Sequence, residues 1–409
     1  MKLEHIKELI QSCNINFLIG SGLSNPYLST LGNIEKLLTD LNQNKHKDFD
    51  IIKASIYRIY CVDVIFRNLD SEIKYYSKEK LNESITEKSK YEKYTEVLDE
   101  YKQLLLSLNE ILLFRHNNLL TKQINFFSTN IDLFMEKALE ETGLEFNDGF
   151  KGRLNPIYDL SNFQKSYSKT SSHYDNVSEI PVFNLLKVHG SINWEKTNNV
   201  ITHSSSLKQV QNVKDIIVEI PTEAFLYVSN DSKFDDLVQE AAKKPDKDKM
   251  DFTSFFTKYD KLLIVNPTKE KFRQTVFDEQ FYELLRIYAN SLEKENSLLL
   301  VAGFSFADEH IKHITIRAAD SNPTLQVIVF AYCEDDANKI KKELGQFKNN
   351  NIHIMDTNLF IKDNPEKDED KSRNNGVTAL KDRLKNFDCK SINQEIFSKI
   401  KEMVRSNTK

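Results

Sequence analysis

The chain has 409 residues, with 56 Lys and Arg against 61 Asp and Glu, a net charge of −5 at pH 7 and a pI near 6.1. That balance argues against a general nucleic-acid binder, which presents a basic face and a high pI. The length fits roughly two to three domains, or one large domain with insertions. A hydrophobic share of 40%, with 26 Phe and 16 Tyr, is enough for a sizeable core. Cys13, Cys61, Cys333 and Cys389 form no CxxC pair, so they read as buried or free thiols rather than a disulfide framework or a zinc ribbon. Met1-Lys2-Leu3-Glu4-His5 lacks the basic and apolar regions of a signal peptide, and the longest apolar run, around Leu298–Phe306, is too short to span a bilayer. A cytoplasmic protein is expected. Glycine is scarce, at ten residues where about 29 is usual. Four of the ten (Gly20, Gly22, Gly190 and Gly303) directly follow strand-like runs.

In chain order, the first predicted strand is Asn16–Ile19, which runs into Gly20-Ser21-Gly22-Leu23-Ser24. A Gly-x-Gly turn after a buried strand lets backbone N–H groups approach a pyrophosphate. Gly-x-Gly also occurs in ordinary turns, and the third glycine of the dinucleotide fingerprint is missing. Residues 33–120 are helical in pattern, with Val97, Tyr101, Leu104, Leu108, Ile111 and Leu112 forming an apolar stripe that reads first as core packing. A second strand, Ile124–Phe127, leads into Ser128-Thr129-Asn130-Ile131-Asp132 and a helix over Asp132–Glu141. All four polar residues are good helix caps, but one helix needs only one cap. Residues 150–182 read as a Ser/Lys/Tyr-rich loop, before a strand at Leu185–Val188 that ends in His189-Gly190-Ser191. A lone histidine is commonly structural. One followed by Gly and Ser suits proton transfer beside a ligand, with Gly190 leaving room for it.

Residues 196–260 carry weak strand and helix signals and a charged loop at Lys243–Lys249. A strand at Leu262–Val265 and a helix at Phe277–Glu293 precede the strand Leu298–Ala302, which ends in Gly303-Phe304-Ser305-Phe306-Ala307-Asp308. Asp308 reads as a cap for the next helix. His310 and His313, three apart on that helix, lack the companion ligands of a metal site. A strand at Leu325–Phe330, a helix at Glu334–Gln346 and a strand at Ile352–Met355 follow, then a charged linker at Lys362–Asn375 and an amphipathic helix at about Val377–Val404. Strands with little polar alternation, separated by helices, predict a doubly wound, Rossmann-like α/β fold with a parallel sheet and a large helical insertion. Such folds bind ligands at the carboxyl ends of their strands.

Taken together and in order, these elements resemble the sirtuin family. Gly20-Ser21-Gly22-Leu23-Ser24 is similar to the sirtuin GAGxS loop, Asn130-Ile131-Asp132 to the end of its TQNID motif, His189-Gly190 to its His-Gly pair, and Gly303-Phe304-Ser305-Phe306 to its GTSL segment. The resemblance spans about residues 14–332. It implies a sirtuin-like NAD-binding catalytic domain at 1–360, interrupted at about 33–120 and 196–260, and a linker with a C-terminal helix at 361–409. It also implies that Asn130 and His189 are catalytic, and that Gly20, Ser21, Gly22, Ser24, Asp132, Gly303 and Ser305 bind NAD.

The departures are as informative. The PDFR-like segment of protein deacetylases is missing after the glycine loop, where the chain reads Asn25-Pro26-Tyr27. No four-cysteine ribbon follows the His-Gly pair, and Phe330-Ala331-Tyr332 stands where sirtuins place an asparagine. The chain is closer to bacterial sirtuin-like effectors of phage defence, which show segments similar to Gly303–Ile311. That likeness implies an NAD+ glycohydrolase without zinc, acting as a homo-oligomer with a HerA-type hexameric ATPase, with no sequence-specific nucleic-acid binding and no membrane segment. The rival readings are a protein deacylase or ADP-ribosyltransferase, and a non-catalytic NAD-binding scaffold.

Overall fold

The computed structural model describes residues 1–29, 32–44, 48–69, 85–115, 119–229, 231–245, 250–266, 279–365 and 379–406. Among them the strands are β1 (Asn14–Ile19), β2 (Gln123–Ser128), β3 (Phe146–Asn147), β4 (Phe150–Lys151), β5 (Ile157–Tyr158), β6 (Tyr167–Thr170), β7 (Val177–Ile180), β8 (Val182–Lys187), β9 (Trp194–Thr197), β10 (Val200–His203), β11 (Ser297–Ala302), β12 (Gln326–Phe330) and β13 (Ile352–Met355). Seven of them form one sheet in the order β13-β12-β11-β1-β2-β8-β3, with every neighbouring pair parallel. The chain moves from β1 to β2 and β8 on one side, then crosses back to β11 on the other. The order therefore reverses between β1 and β11, which opens a crevice at their carboxyl ends. This is the Rossmann-like α/β fold expected from the pattern of buried strands.

Alternation along each strand divides the core. Ile15, Phe17 and Ile19 of β1, with Phe126, Leu298 and Leu300, face α1 (Leu3–Ser12), α4 (Ile85–Leu113), α5 (Phe134–Thr142) and the C-terminal helices. Leu18, Phe127, Leu299 and Val301 face the helices Glu279–Glu293, Glu309–Ser321 and Glu334–Leu344. One polar rung crosses the sheet: Asn125 donates to Asn16 Oδ1 at 2.9 Å, and Asn184 donates to Asn125 Oδ1 at 2.9 Å. These three residues lie side by side in the strand register, so a slip of either strand would break the rung.

The helical region at 33–120 divides in two. The stripe from Val97 to Leu112 on α4 is buried in the main core. By contrast, α2 (Gly32–Gln43) and α3 (Phe49–Tyr60) pack with α6 (Lys208–Glu219), α7 (Phe234–Lys243) and α8 (Thr253–Tyr259) around a second core. Segments almost 200 residues apart thus share one helical subassembly. The order between them, read as two insertions in sequence, is one body in space.

Several expectations are corrected. Leu262–Val265 is not a sheet strand; it makes one isolated bridge, Gly190 to Ile264. A four-residue apolar run cannot distinguish a strand from buried coil. The 150–182 loop contains short strands, including the β6–β7 hairpin and parts of a four-stranded sheet, β4-β5-β10-β9. The C-terminal helix is broken: Leu380–Arg383 is a single turn, and a capping box between Asp388 and Ser391 starts a new helix at Cys389. That helix runs through a π turn at Asn393–Phe397 to Ser406 and packs on α4. Residues 366–375 of the charged linker, 246–249 of the charged loop and Phe277 lie outside the described residues.

Candidate active site

Three strand ends and one helix N-terminus build the site. After β1 the chain turns at Gly20 and makes one short helical turn, Ser21–Ser24. The amide of Gly20 donates to Ala302 O at 3.1 Å and that of Gly22 to Gly303 O at 3.0 Å. A β-carbon at Gly20 would lie 2.8 Å from the Cα of Phe304, and one at Gly22 would lie 2.9 Å from the Cα of Gly303. These glycines let two loops touch backbone to backbone across the β1–β11 crevice, which brings Gly303 beside the first turn. Two of the amides assigned to phosphate on sequence grounds are therefore bonded within the protein.

Ser24 is fully buried and is the hub of a polar network. Its hydroxyl donates to Asp132 Oδ2 at 2.9 Å and receives the Asn130 side-chain amide at 3.3 Å. The Tyr101 hydroxyl of α4 lies 3.2 Å away. Because the one hydroxyl proton of Ser24 goes to Asp132, Tyr101 must be the donor in that pair. Burial holds the Tyr101 phenol well above its ordinary pKa, so it stays protonated for that role.

Beyond β2, Thr129 N donates to Ile19 O at 2.9 Å and ties the strand end to β1. The backbone amide of Asn130 bonds Ser128 Oγ at 3.2 Å. The N-cap of α5 is Leu133, which has no side-chain cap; Asp132, one residue earlier, accepts from the first helix amide, Phe134 N, through Oδ1 at 3.1 Å. Asn130 is 6% exposed, and its Oδ1 is buried without a protein partner. A buried carbonyl oxygen left unpaired costs about 1–3 kcal/mol, and because Asn130 lines the cleft this oxygen is available to accept from a ligand or a water there.

At the end of β8, Lys187 is buried under the site. Its ammonium donates to the backbone oxygen of Asp132 and pairs with Glu136 Oε1 at 3.2 Å. Burial raises the Glu136 carboxyl pKa, an effect that Lys187 opposes. The next turn carries His189, whose Nε2 lies 3.0 Å from Asp308 Oδ2, with both side chains under 10% exposed. Asp308 also caps the helix Glu309–Ser321 through Oδ1, which accepts from His310 N and Ile311 N.

Ser21, Ser24, Asn130, Asp132 and His189 line one narrow cleft with a cavity volume of about 40 Å³. Gly303 and Ser305 do not line it: Gly303 packs against Gly20 and Gly22, and Ser305 is exposed. Gly20 and Gly22 shape the loop without lining the cleft. Sequence reasoning missed the rest of the wall: Leu28, Ser29, Tyr60, Val64 and Val265, with Thr129 and Ile131 as lining residues. Tyr60 and Val64 come from α3 and the π turn Cys61–Ile65, so the helical subassembly closes one side of the cleft. Their only signal is apolar helical spacing, which core residues share. Among the described residues, no group of three or more His, Cys, Asp or Glu is arranged to hold a metal ion, and no helix is long and apolar enough to cross a membrane.

No curated protein matches the chain. The segment 124–246, which carries Asn130, Asp132, Lys187 and His189, matches the family model of the SIR2-like domain, and this match supports a sirtuin-like family for the chain.

Proposed function

We propose that the chain is an NAD+ glycohydrolase that cleaves the nicotinamide–ribose bond of NAD in this cleft. The observation that carries the reading is the convergence of Ser24, Asn130, Asp132 and His189 on one cleft with an unpartnered Asn130 Oδ1. The nicotinamide ribose is placed at these four side chains. The pyrophosphate would then pass Ser21 at the turn after Gly20 and Gly22, and the adenosine would reach Gly303 and Ser305. Breaking the C1′–N bond builds positive charge on the ribose, as glycoside cleavage does. Asp132 supplies compensating negative charge, and Asn130 Oδ1 accepts a hydrogen bond from a ribose hydroxyl or the attacking water. His189 takes the proton released as water adds to C1′. The balance is NAD+ plus water giving nicotinamide, ADP-ribose and a proton.

The finer assignment is an NAD-depleting antiphage effector, acting as a homo-oligomer with a HerA-type hexameric ATPase. What supports it is the likeness of Gly303–Ile311 to such effectors and the departures from protein deacetylases. An enzyme that destroys NAD must also be gated to spare its host. The test is to incubate the purified chain with NAD, alone and with its genomic neighbour, and follow nicotinamide and ADP-ribose. Release of both products supports the reading. Intact NAD under every condition, with a properly folded chain, overturns it.

A further inference from the structure

We propose that Asp308 is a positioning residue that fixes the tautomer and direction of the His189 ring. Every neutral imidazole has one N–H and one lone pair, and the partner of one nitrogen decides the role of the other. Here Asp308 Oδ2 sits 3.0 Å from Nε2, and a carboxylate can only accept. The ring proton is therefore held on Nε2, and Nδ1 is left as the nitrogen able to take a proton. The carboxylate is itself held: Oδ1 accepts from His310 N at 3.0 Å and Ile311 N at 3.2 Å at the start of the helix Glu309–Ser321. One carboxylate thus ties the histidine of β8 to the helix after β11. These two elements lie on opposite sides of β1 in the sheet. A cap alone needs Oδ1. The pairing of Oδ2 with a cleft-lining histidine is the part that capping does not explain.

The inference rests on the proposed role of His189, but its test separates the two. Asp308→Asn keeps a good cap, because Oδ1 can still accept from both amides. It also turns an N–H toward Nε2, which forces Nε2 to accept and moves the ring proton to Nδ1. The primary measurement is the nitrogen NMR signature of the His189 ring in the free protein, assigned by its loss in His189→Gln. The expected result is an Nε2–H ring in the wild type and an Nδ1–H ring in Asp308→Asn, with an unchanged melting temperature. NAD turnover should fall by about 100-fold or more in kcat, with KM within about threefold, the range for losing a general base. Asp308→Ala should lower both the melting temperature and kcat, and Asp308→Glu should restore part of the turnover. An unchanged ring tautomer in Asp308→Asn overturns the proposal, and so does unchanged kcat once the tautomer has moved. If the wild type leaves NAD intact, the functional reading falls, while the tautomer shift still decides the pairing.

Discussion

Gly190→Ala isolates what the glycine after His189 does. Gly190 has φ +76°, and a β-carbon there would lie 2.0 Å from Leu263 O and 3.0 Å from its carbonyl carbon. The two segments are joined by Ser191 N to Leu263 O at 3.2 Å and Val265 N to His189 O at 2.9 Å. The methyl must push them apart. Left-handed backbone with a side chain costs about 1–2 kcal/mol, and two lost backbone bonds cost about 1 kcal/mol each. The expected destabilisation is roughly 3–4 kcal/mol by this sum. At a urea dependence of about 3 kcal/mol per molar for a large chain, the midpoint should fall by about 1 M. Gly143→Ala is the internal control: φ is +64°, and nothing lies within 4 Å of its β-carbon. It should show the backbone strain alone, about 1–2 kcal/mol. Equilibrium urea unfolding of both variants beside the wild type makes the comparison. If Gly190→Ala is no worse than Gly143→Ala, the close approach to Leu263 is refuted, and space for a ligand becomes the better account of this glycine.

Asn130→Ala and His189→Ala should each reduce NAD turnover by at least about 100-fold while keeping the wild-type circular dichroism spectrum; full activity in either folded variant removes that residue from the chemistry. Burial pushes the Glu100 carboxyl on α4 up to about 7, with Asp388 and Glu96 adding repulsion and Lys390 offsetting part of it. The folded carboxyl therefore holds its proton more tightly than the unfolded one, so its contribution to stability is largest below pH 4.5 and is lost as pH rises toward 7. Discounted for its partial exposure, the swing is roughly 1–2 kcal/mol, and Glu100→Gln should flatten the stability profile between pH 5 and 8; an unaltered slope contradicts this. Elemental analysis should find no stoichiometric zinc, and one tightly held zinc per chain would revive the deacylase reading. Turnover should rise with protein concentration or on adding the proposed HerA-type ATPase partner, whereas full activity as an isolated monomer would refute gating by assembly.

The order of buried strands and helices was legible because the central strands β1, β2, β8, β11 and β12 are mostly buried along their length and mostly apolar. The polar residues at the strand ends were legible for the opposite reason: Asn130, Asp132 and His189 interrupt such runs where no core residue is wanted. Leu262–Val265 was misread because four apolar residues satisfy a strand and a buried bridge equally. The cleft walls at Tyr60 and Val64 were unreadable because a helix buries its apolar stripe in the same spacing whether the neighbour is core or substrate. The C-terminal helix was drawn too long because the Asp388–Ser391 capping box restarts it after a gap that periodicity bridges.

Local chemistry by itself determined the α/β class and the strand ends at which the polar residues of the cleft collect, because hydrophobic period and residue type act over a few neighbours. Pairings across the chain belonged to the tertiary structure. Asp308 is the helix cap its sequence suggested, but only the sheet order places its other oxygen 3.0 Å from His189; Tyr101 is the core residue its spacing suggested, but only the packing of α4 brings its hydroxyl to Ser24. The glycines looked like places for phosphate until the β1–β11 crossover set Gly20 and Gly22 against Gly303. Each of these depends on residues at least 77 positions apart, and no local pattern encodes which distant partner a carboxylate, a phenol or a bare Cα will meet.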